Sequence, residues 1–404
     1  MKPGPVCALV VPLIAAAVGL VPAAARGEAL ACPARQEGPP EPSLARLEPA
    51  RGVYFGVSLD WGTDSAAAFN QRLGAPAAVY VQFLRLPLEG DDLAYLEGFV
   101  EQVAAQGGIG LLTLEPVVPL EAITPEVAAG LAEQLALHNR RGVPLLVRFA
   151  HEMNGSWYPW GQQPDAYVRA FRAIAAAVHA HGDRTAMLWA PTYGGGYPFR
   201  GGRYEARPGT ADFARLDTNG DGQLDQRDDM YAPYYPGDDA VDWVGMTVYH
   251  WGDHWPWGKN VAPEPGKFAA QISGAYAGAG GDDTMLPDFY RVYAEERGKP
   301  MAIPETAALY NTTVGGDAEL EIKRLWWRQV LGEQVARDFP RIKLINWFEW
   351  RKPEGEVGGA VVDWTVTTDP VMARLFFDDL PAGRFLFATD LAAADPAAAV
   401  APRP

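Results

Sequence analysis

The sequence is poor in cysteine, which limits how the chain can be stabilised. Only two of its 404 residues are cysteine. Cys7 lies in residues 1–25, which are typical of a signal peptide: Lys2 supplies the positive start, an apolar stretch follows, and small residues end it. Cys32 is then the sole cysteine, so no disulfide can form within the mature chain. We expect a secreted protein, with lipid anchoring at Cys32 as a minor alternative.

Positive charge and long apolar runs are scarce as well. Lys and Arg number 34 against 50 Asp and Glu, for a formal net charge of -16. This excess argues against a nucleic-acid partner and an anionic membrane surface. Beyond the N-terminus no apolar run approaches the roughly 18 residues that span a membrane. We expect a monomer that acts on a neutral substrate and needs no cofactor for catalysis.

Several catalytic signatures are missing. No glycine-rich phosphate loop follows the first apolar run, which disfavours an open, doubly wound nucleotide-binding sheet. No Gly-x-Ser-x-Gly elbow is present. His151-Glu152 begins like a zinc-protease motif, but Gly155 stands where the second histidine is needed. An esterase or a metal hydrolase is therefore disfavoured.

What the sequence does contain is an alternation of short apolar runs with longer stretches of helical period. The runs are rich in β-branched and aromatic residues and lack strict alternation, as expected for strands buried on both faces. Strands are predicted at Val53–Ser58, Ala78–Phe83, Ile109–Leu114, Pro144–Ala150, Thr185–Trp189, Val241–Val248, Pro300–Pro304 and Ile342–Phe348. The clearest helices are predicted at Asp91–Gln106, Thr124–Arg141, Pro164–His181 and Ala318–Phe339.

Eight strands with helices between them predict an α/β fold, a (β/α)₈ TIM barrel. We place this single catalytic domain at residues 51–380, after a Pro/Gly-containing linker at 26–50 and before an Ala/Pro-rich tail at 381–404. Active sites of such barrels lie at the C-terminal ends of the strands. The fourth predicted strand leads into Glu152 and the seventh into Glu305.

These two glutamates follow strands on opposite sides of the barrel mouth, so their carboxyl groups should face each other. Hydrolysis of a glycosidic bond with retention needs one carboxylic acid as proton donor and a second carboxylate as nucleophile, roughly 5–5.5 Å apart. Repulsion between them would keep one proton on the pair. Tryptophan and tyrosine are frequent in the same loops, where aromatic faces can stack on sugar rings, although about half of them could simply pack the top of the barrel.

The segment VRFAHEMNGSWYPWG at 147–161 resembles the acid/base motif of glycoside hydrolase family 26. Its best-known members are β-mannanases, beside mixed-linkage β-glucanases and β-xylanases. Shorter stretches at 235–239, 241–249 and 299–305 extend the resemblance. One departure is Thr306-Ala307-Ala308 after Glu305, where the family usually has Gly or Phe-Gly.

The resemblance implies that Glu152 is the general acid/base and Glu305 the nucleophile. The implied substrate-binding residues are Arg148, His151, Trp157, Trp160, Tyr249 and Trp350. The expected activity is that of an endo-β-1,4-mannanase, with mixed-linkage β-1,3-1,4-glucanase or β-xylanase as alternatives. A non-catalytic carbohydrate-binding protein on the same barrel is the alternative of another class.

An acidic loop at 217–228 lies between the fifth and sixth predicted strands. Its oxygen-bearing residues occupy positions 1, 3, 5, 7, 9 and 12 of a twelve-residue calcium loop, with glycine at position 6. They are Asp217, Asn219, Asp221, Gln223 through its carbonyl, Asp225 and Asp228. This spacing predicts a structural Ca²⁺ site, and a solvated Asp/Gly turn is the alternative.

Overall fold

Eight parallel strands form the centre of the structure. This computed structural model describes residues 44–182 and 184–394, and for residues 392–394 it describes the backbone alone. The strands are β1 (Val53–Leu59), β2 (Val79–Leu86), β3 (Ile109–Pro116), β4 (Leu145–Phe149), β5 (Thr185–Trp189), β6 (Trp243–Gly245), β7 (Met301–Thr306) and β8 (Ile342–Glu349). Each strand pairs with the next along the chain, and β8 pairs with β1. The predicted (β/α)₈ barrel is confirmed.

Helices lie between the strands and on the outside of the barrel. They are α1 (Ala66–Leu73), α2 (Asp91–Gln106), α3 (Pro125–Arg140), α4 (Pro164–Ala180), α5 (Ala211–Leu216), α6 (Lys267–Ile272), α7 (Glu319–Leu331), α8 (Glu333–Asp338), α9 (Pro370–Asp378) and α10 (Ala388–Ala394). Thr124 caps α3 by accepting a hydrogen bond from the Val127 amide. None of the helices within the described ranges is long and apolar enough to cross a lipid bilayer.

The predicted helix Ala318–Phe339 is two helices, α7 and α8. The chain leaves helical geometry at Gly332, where φ is -68° and ψ is 166°. A Cβ atom at this position would lie 2.3 Å from the Arg328 carbonyl oxygen, so the close turn needs glycine. The apolar period continues through the break, which is why the sequence pattern indicates one helix.

Alternate side chains of each strand face either the barrel lumen or the surrounding helices. The lumen is filled by large apolar side chains, among them Leu111, Leu146 and Trp243. Their neighbours along the strands, such as Leu112 and Val147, pack outward in the larger core beneath the helices. Because the lumen is packed with side chains, the site at the C-terminal ends of the strands lies directly above a close-packed core.

Strand β6 is shorter than the predicted Val241–Val248. Its neighbour β5 ends at Trp189, and Pro191 follows, which has no amide hydrogen for a regular ladder. Pairing continues as a single bridge between Thr192 and Thr247, and the Thr247 amide donates to the Pro191 carbonyl. The polypeptide beyond β6 therefore stays alongside the segment that follows β5, and Thr247 lies at the rim of the barrel.

Residues on both sides of the predicted domain, 51–380, contact the barrel. On the N-terminal side, Arg46 pairs with Asp242 at 2.9 Å and Glu48 with Arg341 at 3.1 Å, which fastens residues 44–50 to the barrel. On the C-terminal side, the strand Phe385–Leu386 pairs with β1, and α10 follows. The predicted signal peptide, Cys32, the linker before 44 and the tail after 394 lie outside the described residues.

Candidate active site

Glu305 lies on β7 at an irregularity of its ladder with β8. Between Ile303 and Thr306, β7 advances by three residues while β8 advances by two. Regular alternation would put Glu305 on the face of Ile303, beneath the helices, but the bulge turns its carboxylate into the lumen. Pro304 has no amide hydrogen to contribute to the ladder and so suits the bulge.

Both carboxylate oxygens of Glu305 are held by donors. The guanidinium of Arg148, which is fully buried, forms an ion pair with Oε1 through Nη1. The Tyr249 hydroxyl donates to Oε2 at 2.9 Å. The other Arg148 nitrogen, Nη2, donates to the Thr247 hydroxyl at 2.6 Å. These charge-assisted contacts fix the carboxylate. The substrate-binding roles of Arg148 and Tyr249 stay predictions, and sequence reasoning missed Thr247.

Glu152 follows β4 in a tight turn. Its φ of 54° and that of Ala150, 45°, lie in the left-handed region, which costs non-glycine residues about 1–3 kcal/mol each. The turn is held by the Glu152 amide, which donates to the Ala190 carbonyl, and by the Gly155 amide, which donates to the Glu152 carbonyl. The indole N–H of Trp157 donates to Glu152 Oε2 at 3.1 Å. This strained turn aims the carboxyl group across the barrel mouth.

The two glutamates interact electrostatically. Burial and then the charge of Glu305 raise the pKa of Glu152 to about 7, against the opposing effects of Arg148, Trp157 and Thr247. A carboxyl group with this pKa holds a proton near neutral pH and can release it to a leaving oxygen. The two carboxyl groups therefore differ in protonation: Glu152 carries a proton, whereas Glu305 is a carboxylate held by the Arg148 guanidinium.

His151, Tyr158 and Trp160 form a stack beside the pair. His151 is buried, with Nε2 3.2 Å from the Tyr158 hydroxyl, and burial and then Arg148 lower its pKa, so the imidazole is neutral. Tyr158 stacks on Trp160 at 4.5 Å, and the Trp160 indole donates to the His151 carbonyl. Trp160 is only 4% exposed, and its predicted contact with sugar stays a prediction. It supports Tyr158, which sequence reasoning left out of the binding set.

The remaining predicted aromatic residues lie on the rim. Trp157 is 40% exposed and packs edge-on against Phe199. Trp350 is half-buried, stacks on Phe348 at 5.6 Å, and its indole lies 3.3 Å from the Ser58 hydroxyl. Their exposed surface, on opposite sides of the mouth, is available to a sugar ring.

The predicted calcium loop places its acidic side chains differently from a complete ligand set. Asp228 is buried, and its carboxylate accepts hydrogen bonds from the backbone amides of Thr218, Asn219 and Asp225. Arg227 Nη2 bridges Asp221 at 2.9 Å and Asp225 at 2.6 Å. Within the described part of the chain, no group of three or more His, Cys, Asp or Glu is arranged to hold a metal. The backbone amides thus engage the Asp228 carboxylate, and the calcium site stays a prediction.

Comparison with known proteins agrees with this geometry. The model of glycosyl hydrolase family 26 matches residues 120–208, which include Arg148, Glu152 and Trp157. A curated relative, Endoglucanase H of Acetivibrio thermocellus, is 21% identical over 328 residues. The match covers 78% of this chain but only 29% of the relative, so the chain spans less than a third of that protein's length.

Two solved structures are similar to the chain. GH26C from Muricauda sp. MAR_2010_75 has 13% identity and a TM-score of 0.53, and the match covers 84% of this chain and 88% of that one. The catalytic domain of the GH26 endo-β-1,4-mannanase of Bacillus sp. JAMB-750 has 16% identity and a TM-score of 0.49, with coverages of 84% and 88%. The similarity to GH26C shows the shared barrel fold. The family match over β4 and its acid-bearing turn supports glycosyl hydrolase family 26 as the family of this chain.

Proposed function

We propose that this glycoside hydrolase is a secreted, retaining enzyme that cleaves β-linked polysaccharide, with β-1,4-mannan as its substrate. One observation carries the proposal: Glu152, whose pKa is raised to about 7, feels the charge of Glu305, which is held by Arg148 and Tyr249. A retaining mechanism requires this division between acid and nucleophile.

In the proposed mechanism, Glu152 gives its proton to the glycosidic oxygen while Glu305 attacks the anomeric carbon. The bond to the leaving sugar breaks, and a covalent glycosyl-enzyme forms at Glu305. Glu152, now a carboxylate, takes a proton from a water molecule that attacks the same carbon on the face opposite Glu305, and the bond from that carbon to Glu305 breaks. Two inversions give net retention. The Trp157 indole orients Glu152 in both steps.

Mannan is proposed from the resemblance to family 26, and a β-glucan is the second candidate because a curated relative is called an endoglucanase. A panel of mannan, mixed-linkage glucan and xylan with reducing-end detection decides between them. Proton NMR of the first product formed reports its anomeric configuration. We expect the β-anomer first; initial release of the α-anomer would exclude retention, and glycan binding without cleavage would support the non-catalytic alternative.

The rate should fall as pH rises through about 7. Glu152 acts as an acid only while protonated, and its raised pKa keeps the proton up to about pH 7. Above that value we expect kcat/KM to fall about tenfold per pH unit, because the protonated fraction does. The measurement is a pH profile at substrate concentrations well below KM.

The Trp157→Phe variant tests the origin of this pH limb. The Trp157 indole stabilises the charged form of Glu152 and so lowers its pKa. Removing that hydrogen bond should move the limb to higher pH. A limb that stays in place in Trp157→Phe, or one that lies near the ordinary glutamate pKa in the wild type, would contradict the assignment.

Calcium is proposed as a structural ion of the 217–228 loop. The exposed residues Asn219, Asp221 and Gln223, with Asp217, remain available as ligands if Arg227 releases Asp221. At a concentration about 100 times Kd, a bound ion adds about 2.7 kcal/mol to the free energy of unfolding. We expect calcium, and not magnesium, to raise the melting temperature of chelator-treated protein by a few degrees. Asp217→Asn should abolish the rise; no rise in the wild type, with no metal found by elemental analysis, would exclude the ion.

Export and a monomeric state complete the proposal. They rest on the N-terminal signal pattern and on the fact that the acid, the nucleophile and their partners all come from one chain. N-terminal sequencing of protein from the culture medium should show cleavage near residue 25. Light scattering should give the mass of one chain.

A further inference from the structure

A third carboxyl group faces the catalytic pair. Glu115 lies near the end of β3, where Ile109 and Leu111 point into the lumen. By alternation Thr113 and Glu115 point the same way, and Thr113 is the register partner of Arg148 on β4. Glu115 therefore stands one step above Arg148, at the level of the reacting groups.

The electrostatics place Glu115 in the same pocket. Burial and then the charge of Glu305 raise the pKa of its carboxyl group, against the opposing effect of Arg148. Burial and then the charges of Glu152, Glu305 and Glu115 raise the pKa of the Tyr158 hydroxyl, so all three carboxyl groups lie in its vicinity. The proposed mechanism assigns roles to Glu152 and Glu305 and none to Glu115.

Glu115 also lacks a protein partner. Its carboxyl group is half-buried, and no hydrogen bond or ion pair from the described residues reaches it. Its register partner on β2, Arg85, is instead paired with Asp92 at 3.1 Å. A partly desolvated carboxylate is unfavourable until donors satisfy it. The hydroxyls of a sugar are such donors, and hydrogen bonds to a charged acceptor are stronger than neutral ones.

The charge balance of the pocket restricts which sugar fits. Arg148 is the cation facing these groups and is paired with Glu305, while His151 is buried and neutral. With the proton on Glu152, the carboxylate of Glu115 gives the pocket an uncompensated negative charge. A sugar that carries its own carboxylate would be repelled.

We propose that Glu115 is a specificity-determining residue, whose carboxylate accepts hydrogen bonds from hydroxyls of the sugar bound at the catalytic pair and excludes uronic acids. The inference rests on the proposed hydrolase function and names the chemistry of the sugar that this site selects: neutral and bearing hydroxyls towards β3. It adds a recognition role to a residue outside the acid, the nucleophile and their partners.

The test uses Glu115→Gln, which keeps the shape and removes the charge, and Glu115→Ala. The control is Glu101→Gln, an exposed glutamate on α2. Kinetics are measured on neutral aryl oligosaccharides and on monodeoxy versions, each lacking one hydroxyl of the sugar at the catalytic pair. We expect kcat/KM on the complete sugar to fall about 10- to 100-fold in Glu115→Ala, as for loss of a hydrogen bond to a charged group. The control should match the wild type.

The deoxy series separates recognition from a merely structural role. One deoxy sugar should be cleaved poorly by the wild type yet suffer little further loss in Glu115→Ala, because the two changes remove one interaction. Glu115→Gln should also bind uronate-containing oligosaccharides that the wild type rejects. Deoxy penalties that are equal in wild type and variant, with uronates still rejected, would overturn the proposal.

The same experiments distinguish failure of the proposed function from failure of the Glu115 proposal. If the wild type cleaves no glycan, that function is wrong, whereas calorimetric binding of the same complete and deoxy oligosaccharides still reports on Glu115. Melting temperatures show whether each variant is folded. If Glu115→Ala does not fold, Glu115→Gln carries the comparison.

Discussion

Replacing Glu305 by alanine should reduce hydrolysis of every glycoside substrate by about four orders of magnitude or more, as expected when the nucleophile of a two-step mechanism is removed. Without the carboxylate no glycosyl-enzyme forms, and the loss affects good and poor leaving groups alike. The measurement is kcat/KM on polysaccharide and on an activated aryl glycoside. The exposed Glu333→Ala, whose side chain is 77% accessible, is the control.

Two control experiments separate loss of the nucleophile from loss of the fold. Alanine leaves Arg148 buried without its partner, which costs about 3–5 kcal/mol of stability, so Glu305→Gln is measured beside it and both are checked by thermal melting. Azide fits the space left by the carboxylate and should restore turnover of the aryl glycoside, yielding a glycosyl azide of inverted configuration. Full hydrolysis by both variants would show that Glu305 is not the nucleophile.

Replacing Glu152 by alanine should give a different pattern. Hydrolysis of polysaccharide should fall by about 10²- to 10⁴-fold, the usual contribution of general acid catalysis. Formation of the glycosyl-enzyme from an activated aryl glycoside should hardly change, because its leaving group needs no proton. The fall in rate above about pH 7 should disappear, since Glu152 is the group whose pKa is raised to that value.

Azide also distinguishes the two roles. In Glu152→Ala it should attack the glycosyl-enzyme at Glu305 and give a glycosyl azide of retained configuration, opposite to the product of Glu305→Ala. The isosteric Glu152→Gln serves as the control for the strained turn, because it keeps an acceptor for the Trp157 indole. An unchanged rate on polysaccharide, or equal losses on both substrate types, would refute the acid assignment.

Most of the barrel could be predicted because buried strands carry their own local pattern. Thr185–Trp189 was predicted to the residue, and most other strands within a few residues. Errors occurred where a non-local contact decides the boundary. β6 shortens because Pro191, which follows β5, has no amide hydrogen for the ladder. Residues 44–50 join the barrel through ion pairs that reach as far as Arg341, which no local pattern reveals.

Several residues of the active site could also be predicted from a local sequence pattern. The motif at 147–161 identifies Arg148, Glu152 and Trp157, because the acid-bearing turn is contiguous in sequence. It could not show that Trp160 lies beneath Tyr158, since the motif records residue types and not which ring covers which. Thr247, beyond the end of β6, and Glu115, on β3, approach Arg148 and Glu305 only when the barrel closes.

The sequence by itself determined the number of strands, the barrel they form and the positions of Glu152 and Glu305 near its catalytic rim, because apolar runs and turn residues act locally. The tertiary structure decided how these groups work. The bulge at Pro304 turns Glu305 from the helix side to the lumen, and burial and then the charge of Glu305 raise the pKa of Glu152 to about 7. Register and burial depend on contacts between residues far apart in the chain, so no single segment encodes them.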